Sequence, residues 1–192
     1  MEVNMAPKLK VTREQIIKTA LEMTRRGGAQ SVNARSVADA LNCSTQPIFS
    51  NFEGIEALHR AVRAAAYELY YECLRRASES GEFVKYKAYG MGYIRFAREE
   101  KQLFRLLFMA DRSGEEQNAG TDFDESVEMI SAANGISREL AELIHLEMWS
   151  TVHGIAVMQA TSFLPLEEEL ISRILTDVYQ GIRVSVIGKD KK

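Results

Sequence analysis

Apolar residues recur along this chain at helical spacing rather than in the alternation of strands. Ile16, Ile17, Ala20 and Leu21 form a first stripe. Ahead of it, Thr12 and Gln15 have capping-box spacing: the hydroxyl takes an orphan N–H and the amide reaches back. Gly27 and Gly28 end this helix, and Arg25 and Arg26 lie in its last turn, where cations suit the dipole. A second, short helix is predicted from Asn33, a good N-cap, with Val32 and Val37 spaced as a hydrophobic staple. Ala34, Val37, Ala38 and Leu41 share its inner face. Asn42 follows as a residue that tolerates a left-handed backbone, and Cys43 as a small buried plug. A third helix is predicted with Ser44 as N-cap and Pro47 three positions in, where a missing N–H costs little. Ile48 and Phe52 then face the core, and Thr45, Gln46, Ser50 and Asn51 point outward.

Gly54 precedes a long helix over 55–79. Further helices are predicted over 83–99, 102–110, 123–134, 138–163 and 167–187, with 1–10 as an arm and 111–122 as a polar, acidic loop. No strand-like alternation runs beyond a few residues, so the predicted fold class is all-α. The expected division is a helix-turn-helix module over 1–54 and a larger helical module over 55–192. The last two helices are apolar on more than one face, with Leu140, Leu143, Ile144, Val152, Ile155 and Ala156 on one and Leu170, Ile174, Val178, Ile182 and Val186 on the other. Such helices need burial on two sides, which a two-fold homodimer supplies by pairing them as a four-helix bundle; a large monomer core is the less economical alternative.

Composition narrows the class. Of 192 residues, 46% are hydrophobic and 27% charged, enough for a packed core and too apolar for global disorder. No apolar run reaches the roughly 18 residues of a membrane span, and the start of the chain lacks the apolar stretch of a secretory signal. Cys43 and Cys73 make neither a disulfide framework nor a CxxC. The expectation is a soluble cytoplasmic protein without a membrane partner. A net charge of −3 argues against nonspecific coating of nucleic acid. The charge is unevenly spread, however: residues 1–60 hold 8 Lys/Arg against 6 Asp/Glu, and residues 111–169 hold 2 against 13. The N-terminal end is the one suited to a phosphate backbone.

The predicted helix–turn–helix carries the most specific chemistry. Gln and Asn can pair two-pronged with adenine, and hydroxyls can bond phosphates or base edges. An ordinary three-helix corner satisfies the same apolar pattern. Residues 12–62 also resemble the DNA-binding domain of the TetR (tetracycline repressor) family. The resemblance rests on Gly28-Ala-Gln-Ser-Val-Asn-Ala-Arg-Ser-Val-Ala38, Leu41-Asn-Cys-Ser44, Ile48-Phe-Ser-Asn-Phe52 and Glu56-Ala-Leu58. It implies a homodimeric regulator, most often a repressor, that binds palindromic double-stranded DNA and answers to a small-molecule effector. It puts Asn33, Arg35, Ser44, Thr45, Gln46, Pro47, Phe49, Ser50 and Asn51 at the DNA. The chain departs from the family where Phe49 replaces a phosphate-touching tyrosine and Ile55 replaces a lysine. It departs again at Asn42, usually glycine, and at Pro47, usually small or hydroxylated.

Farther on, Ala88-Tyr-Gly-Met-Gly-Tyr-Ile-Arg-Phe-Ala97, Leu103-Phe-Arg-Leu-Leu-Phe108 and Trp149-Ser-Thr-Val-His-Gly154 resemble the regulatory half of one family branch, marked by Trp-x-x-x-His-Gly. By that resemblance Met91, Phe104, Phe108, Met109, Trp149 and His153 are candidates for lining an effector pocket; plain core packing is the alternative for each. Gly90 and Gly92 interrupt a helical pattern, which either close helix packing or a ligand passing near the backbone explains. No cofactor is expected, and no nucleophilic triad, P-loop or GxGxxG is present. The competing enzyme reading is a di-metal carboxylate site built from Glu56-Ala-Leu-His59 and Glu142-Leu-Ile-His145. A third reading is a structural dimerisation protein that binds no DNA.

Overall fold

The computed structural model describes residues 11–110 and 120–189, and every regular element among them is helical. The first helix, α1 (Arg13–Gly27), opens on the expected capping box, with the Gln15 N–H donating to Thr12 Oγ1 at 3.2 Å and the Thr12 N–H to Gln15 Oε1 at 2.9 Å. Gly28 ends it at φ 79°, a conformation that favours glycine. A 3-10 turn over Ala29–Ser31 leads to α2 (Ala34–Ala40). Asn42 adopts φ 52°, as its tolerance for that region allows, while the Cys43 N–H closes the turn on Ala38 O. Then follow α3 (Gln46–Asn51) and the long α4 (Ile55–Glu79). The remainder is α5 (Lys85–Glu99), α6 (Lys101–Phe108), α7 (Gly120–Asn134), α8 (Arg138–Thr161) and α9 (Glu168–Lys189).

Several boundaries differ from expectation for local reasons. Thr45, not Ser44, is the N-cap of α3, so Pro47 falls one position earlier than expected. The cap has helical φ/ψ and no side-chain hydrogen bond, so no hydroxyl marks the start. The N-terminal part of the predicted acidic loop is outside the described residues, but α7 already begins at Gly120. At the end of α8, Ser162 turns left-handed and the Phe163 N–H closes on Met158 O, which stops the helix two residues short of 163. Cys43 is half-buried at the edge of the core rather than a sealed plug.

Three apolar clusters hold the helices. The first joins Ile16 and Ala20 of α1, Val37 and Ala38 of α2, Ile48 of α3, Phe52, and Leu58 and Val62 from the first turns of α4. The staple residue Val32 is buried in it with Val37. The largest cluster takes Ala66, Tyr70 and Leu74 from farther along α4 and packs them against α5, α6, α8 and α9. A smaller one joins Val127 and Ile130 of α7 to Ala141, Ile144 and Val186. Thus α4 is one continuous rod whose two ends lie in different cores. Leu21 and Leu106 touch both. Arg25 Nε of α1 also donates to Glu100 Oε2, ahead of α6, at 2.8 Å.

Gly92 and Gly90 are contact points on α5. A Cβ on Gly92 would lie 3.0 Å from Ala77 Cβ and 3.4 Å from Leu74 Cα, so α4 crosses close to the α5 backbone there. A Cβ on Gly90 would meet only side-chain tips, Val152 Cγ2 at 3.3 Å and Leu175 Cδ1 at 3.5 Å.

Candidate functional site

The surface formed by α2, the turn and α3 is positioned by its own polar groups. Asn33 Oδ1 accepts from the N–H groups of Arg35 (3.1 Å) and Ser36 (2.9 Å), and Ser36 Oγ accepts from the Asn33 N–H (3.0 Å). Ser36 is the half of this capping box that the sequence reading did not use. Beneath α3, Ile48 is fully buried. At its far end Arg13 Nη1 donates to Asn51 O at 3.2 Å while the guanidinium lies 4.3 Å from the centre of the Phe52 ring. Arg13 therefore ties α3 to α1 from a position 38 residues upstream. Nothing in its local sequence announces that contact, because only the tertiary fold creates it.

The expected outward set divides in two. The side chains of Arg35, Ser44 and Gln46 are exposed and form no hydrogen bond or ion pair with the described residues. Phe49 is 56% exposed, an apolar ring on an otherwise polar face. Thr45 and Asn51, expected to point outward, are half-buried instead. Asn51 Nδ2 donates to Pro47 O at 2.8 Å, and the exposed Ser50 donates its hydroxyl to Gln46 O at 2.9 Å. Short polar side chains at helical positions find the carbonyl one turn back when nothing better is within reach. Pro47, also half-buried, costs α3 little because it sits in the first turn.

The second group of candidates lies where α5, α6 and α8 converge. The Tyr93 hydroxyl stands 2.8 Å from His153 Nδ1, and the Trp149 indole stacks on the His153 ring at 5.0 Å. Phe108 lies 5.0 Å from Tyr93 and 5.2 Å from Phe104, centre to centre. Tyr70 of α4 closes the cluster, 5.9 Å from Tyr93 and 5.1 Å from Phe108. Burial lowers the His153 pKa and raises that of Tyr93. Burial thus favours the neutral imidazole and the protonated phenol, which share one hydrogen bond through Nδ1.

Of the six effector candidates, Met91 and Phe104 are sealed in the core and Phe108 is partly buried against it. His153 is half-buried, and Trp149 is 46% exposed at the rim. Met109 lies on the surface at the end of α6. A cleft of about 910 Å³ opens elsewhere, between α1, α4 and α6, and none of the six lines it.

The two Glu-x-x-His pairs are not brought together. His59 Nε2, on α4, lies 3.0 Å from Val32 O. His145 Nδ1 lies 3.1 Å from the Tyr86 hydroxyl, and Glu142 accepts from Arg138. Among the described residues, no three His, Cys, Asp or Glu side chains stand together as a metal-binding group. Among the same residues, no helix is long and apolar enough to cross a membrane.

Residues 86–178 match the family model described as a tetracyclin repressor-like C-terminal domain. That span runs from α5 into α9 and contains all six effector candidates. No curated protein matches the chain.

Proposed function

The chain belongs to the tetracycline repressor family, and from that premise we propose a homodimeric transcriptional repressor that reads palindromic operator DNA and responds to a small molecule. The family itself points to a regulator rather than an enzyme. The observation that carries the DNA reading is the set of free groups on one rigid surface: Arg35, Ser44, Gln46 and Phe49 face solvent, while caps and Arg13 fix the helices beneath them. Gln46 is the group for two-pronged pairing with adenine, and Arg35 the one for phosphate or guanine. Asn33, Thr45, Ser50 and Asn51 support the surface through their hydrogen bonds and packing, and Ser44 and Pro47 shape the entry to α3.

Dimerisation is supported by apolar side chains left exposed in one protomer. Leu143, Leu146 and Trp149 on α8, and Leu170 and Val184 on α9, face solvent together with Phe163 and Leu164. Pairing α8 and α9 with those of a second copy covers such a surface. The two α3 helices would then enter successive major grooves about 34–36 Å apart.

The effector reading rests on the aromatic cluster. A molecule that displaces Tyr93 from His153 presses on Tyr70 of α4. The opposite end of that rod carries Leu58 and Val62 under α3. A change in head spacing follows from a small tilt of α4, with a coupling of about 1–3 kcal/mol.

The test is a mobility-shift assay on fragments selected from random DNA by the purified protein. Specific retardation should weaken steeply as salt rises. Arg35→Ala and Gln46→Ala should each lose specific affinity while the dimer persists. Operator affinity unchanged in both variants would remove this surface from the account.

A further inference from the structure

Among the described residues of the N-terminal module, Phe49 is the one large apolar side chain that faces solvent, with 56% of its surface exposed. The packing of α3 dictates that exposure. Ile48 is fully buried and Phe52 nearly so, and a rotation of α3 that hid Phe49 would bring them toward water. Arg13 fixes the rotation from outside, donating to Asn51 O at 3.2 Å. Gln46 precedes Phe49 by three positions, which makes the two side chains neighbours on one helix face, and Gln46 is exposed as well.

We propose that Phe49 reads the C5 methyl group of a thymine in the operator, close to the base that Gln46 reads; the assignment rests on the DNA reading above. A phenyl ring offers no N–H or O–H, so it cannot bond a phosphate oxygen or a polar base edge. In the major groove every base pair presents hydrogen-bonding groups, and the thymine methyl is the one apolar group among them. Pressing the ring against any other edge strips water from polar atoms and returns no hydrogen bond. The three residues from Gln46 to Phe49 span about 4.5 Å along α3, against about 3.4 Å per base step, so the thymine lies within about two steps of the pair read by Gln46. Burying one methyl group corresponds to about fourfold in affinity, and to about fifteenfold over the two half-sites of a dimer.

An operator fragment selected by the full chain carries the test. Each thymine is replaced in turn, symmetrically in both half-sites, by deoxyuridine, which lacks the C5 methyl and keeps every hydrogen-bonding group. Affinity at fixed salt should fall by about tenfold or more at one thymine position and hold at the others. Phe49→Ala should bind the thymine fragment at least as weakly as the parent binds that deoxyuridine fragment, and should no longer distinguish the two. Phe49→Leu should keep a partial preference for thymine. Circular dichroism and sedimentation of both variants should match the parent, since the side chain lies at the surface. A selected half-site that contains no thymine, a parent indifferent to every deoxyuridine, or a Phe49→Ala variant that still prefers thymine would overturn the assignment and leave operator binding standing. Lost affinity in Phe49→Ala without any thymine preference in the parent would also overturn it, making the ring a general apolar wedge. No retardation of any selected fragment would remove the DNA reading, and this assignment with it.

Discussion

Replacing Gly92 by alanine sets two opposed effects against each other, and the structure decides between them. Inside a helix, alanine is favoured over glycine by about 1 kcal/mol. At Gly92 the added methyl meets Ala77 Cβ at 3.0 Å and Leu74 Cα at 3.4 Å. Neither atom belongs to a side chain that can swing away; both are fixed to the α4 backbone. Overpacking of this kind costs about 1–3 kcal/mol, so the net change is a loss of up to about 2 kcal/mol. Gly90 provides the control on the same helix. Its methyl meets only Val152 Cγ2 and Leu175 Cδ1, which can shift by a few tenths of an ångström. Gly90→Ala should therefore be neutral or gain up to about 1 kcal/mol. At about 2–4 °C per kcal/mol for a chain of this size, the two variants should differ by several degrees in Tm, with Gly92→Ala the lower. Urea denaturation followed by circular dichroism gives the same comparison as free energies. Equal stability of the two variants, or Gly92→Ala the more stable, would refute the close α4–α5 crossing.

The Arg25–Glu100 pair joins α1 to the start of α6 with both side chains partly exposed. A double-mutant cycle with Arg25→Ala and Glu100→Ala should return a favourable, non-zero coupling of up to about 1 kcal/mol, and zero coupling would show that the pair does not tie α1 to the start of α6. Burial lowers the pKa of His145 and His153 in the folded state. The unfolded chain then binds more protons near pH 6, so stability is full above about 6.5 and declines as pH falls through the folded values. Thermal melts from pH 7.5 to 5.5 should show falling Tm, and a His153→Gln variant a flatter profile. Glu168, held down by Arg95 and Arg98, titrates in a separate window below about 4.5, where its stabilisation is lost. Leu146, 56% exposed on α8, lies on the surface proposed to join two copies. Leu146→Arg should shift the protein from dimer to monomer in sedimentation velocity without loss of helix content, and an unchanged dimer would move the interface elsewhere.

Sequence reasoning reached the elements most completely where local chemistry is self-sufficient. The Thr12–Gln15 box, the Asn33 cap and the left-handed Asn42 are all satisfied within a few residues, so local pattern announces them. The start of α3 differs from the sequence expectation because its cap, Thr45, makes no side-chain bond, while Ser44 is a better capping residue by type alone. The outward-facing set was half legible. Helical spacing placed Gln46 correctly at the surface. It did not reveal that Asn51 and Ser50 bond carbonyls of their own helix, nor that Thr45 is half-buried. Arg13 at the end of α3 and the cleft between α1, α4 and α6 arise from segments far apart in sequence, and no periodicity encodes them. Trp149 and His153 stack across one turn of the same helix, whereas the Tyr93 hydroxyl that bonds the imidazole comes from another helix.

The central claim is that two copies of this chain present their α3 helices to one duplex. Sedimentation equilibrium of the protein with a selected operator fragment measures this directly, since each protomer adds 21.6 kDa. The account predicts a limiting complex of two protomers per duplex, formed cooperatively and dispersed by high salt. A saturated complex holding a single protomer, or no complex with any selected fragment at low salt, would contradict it.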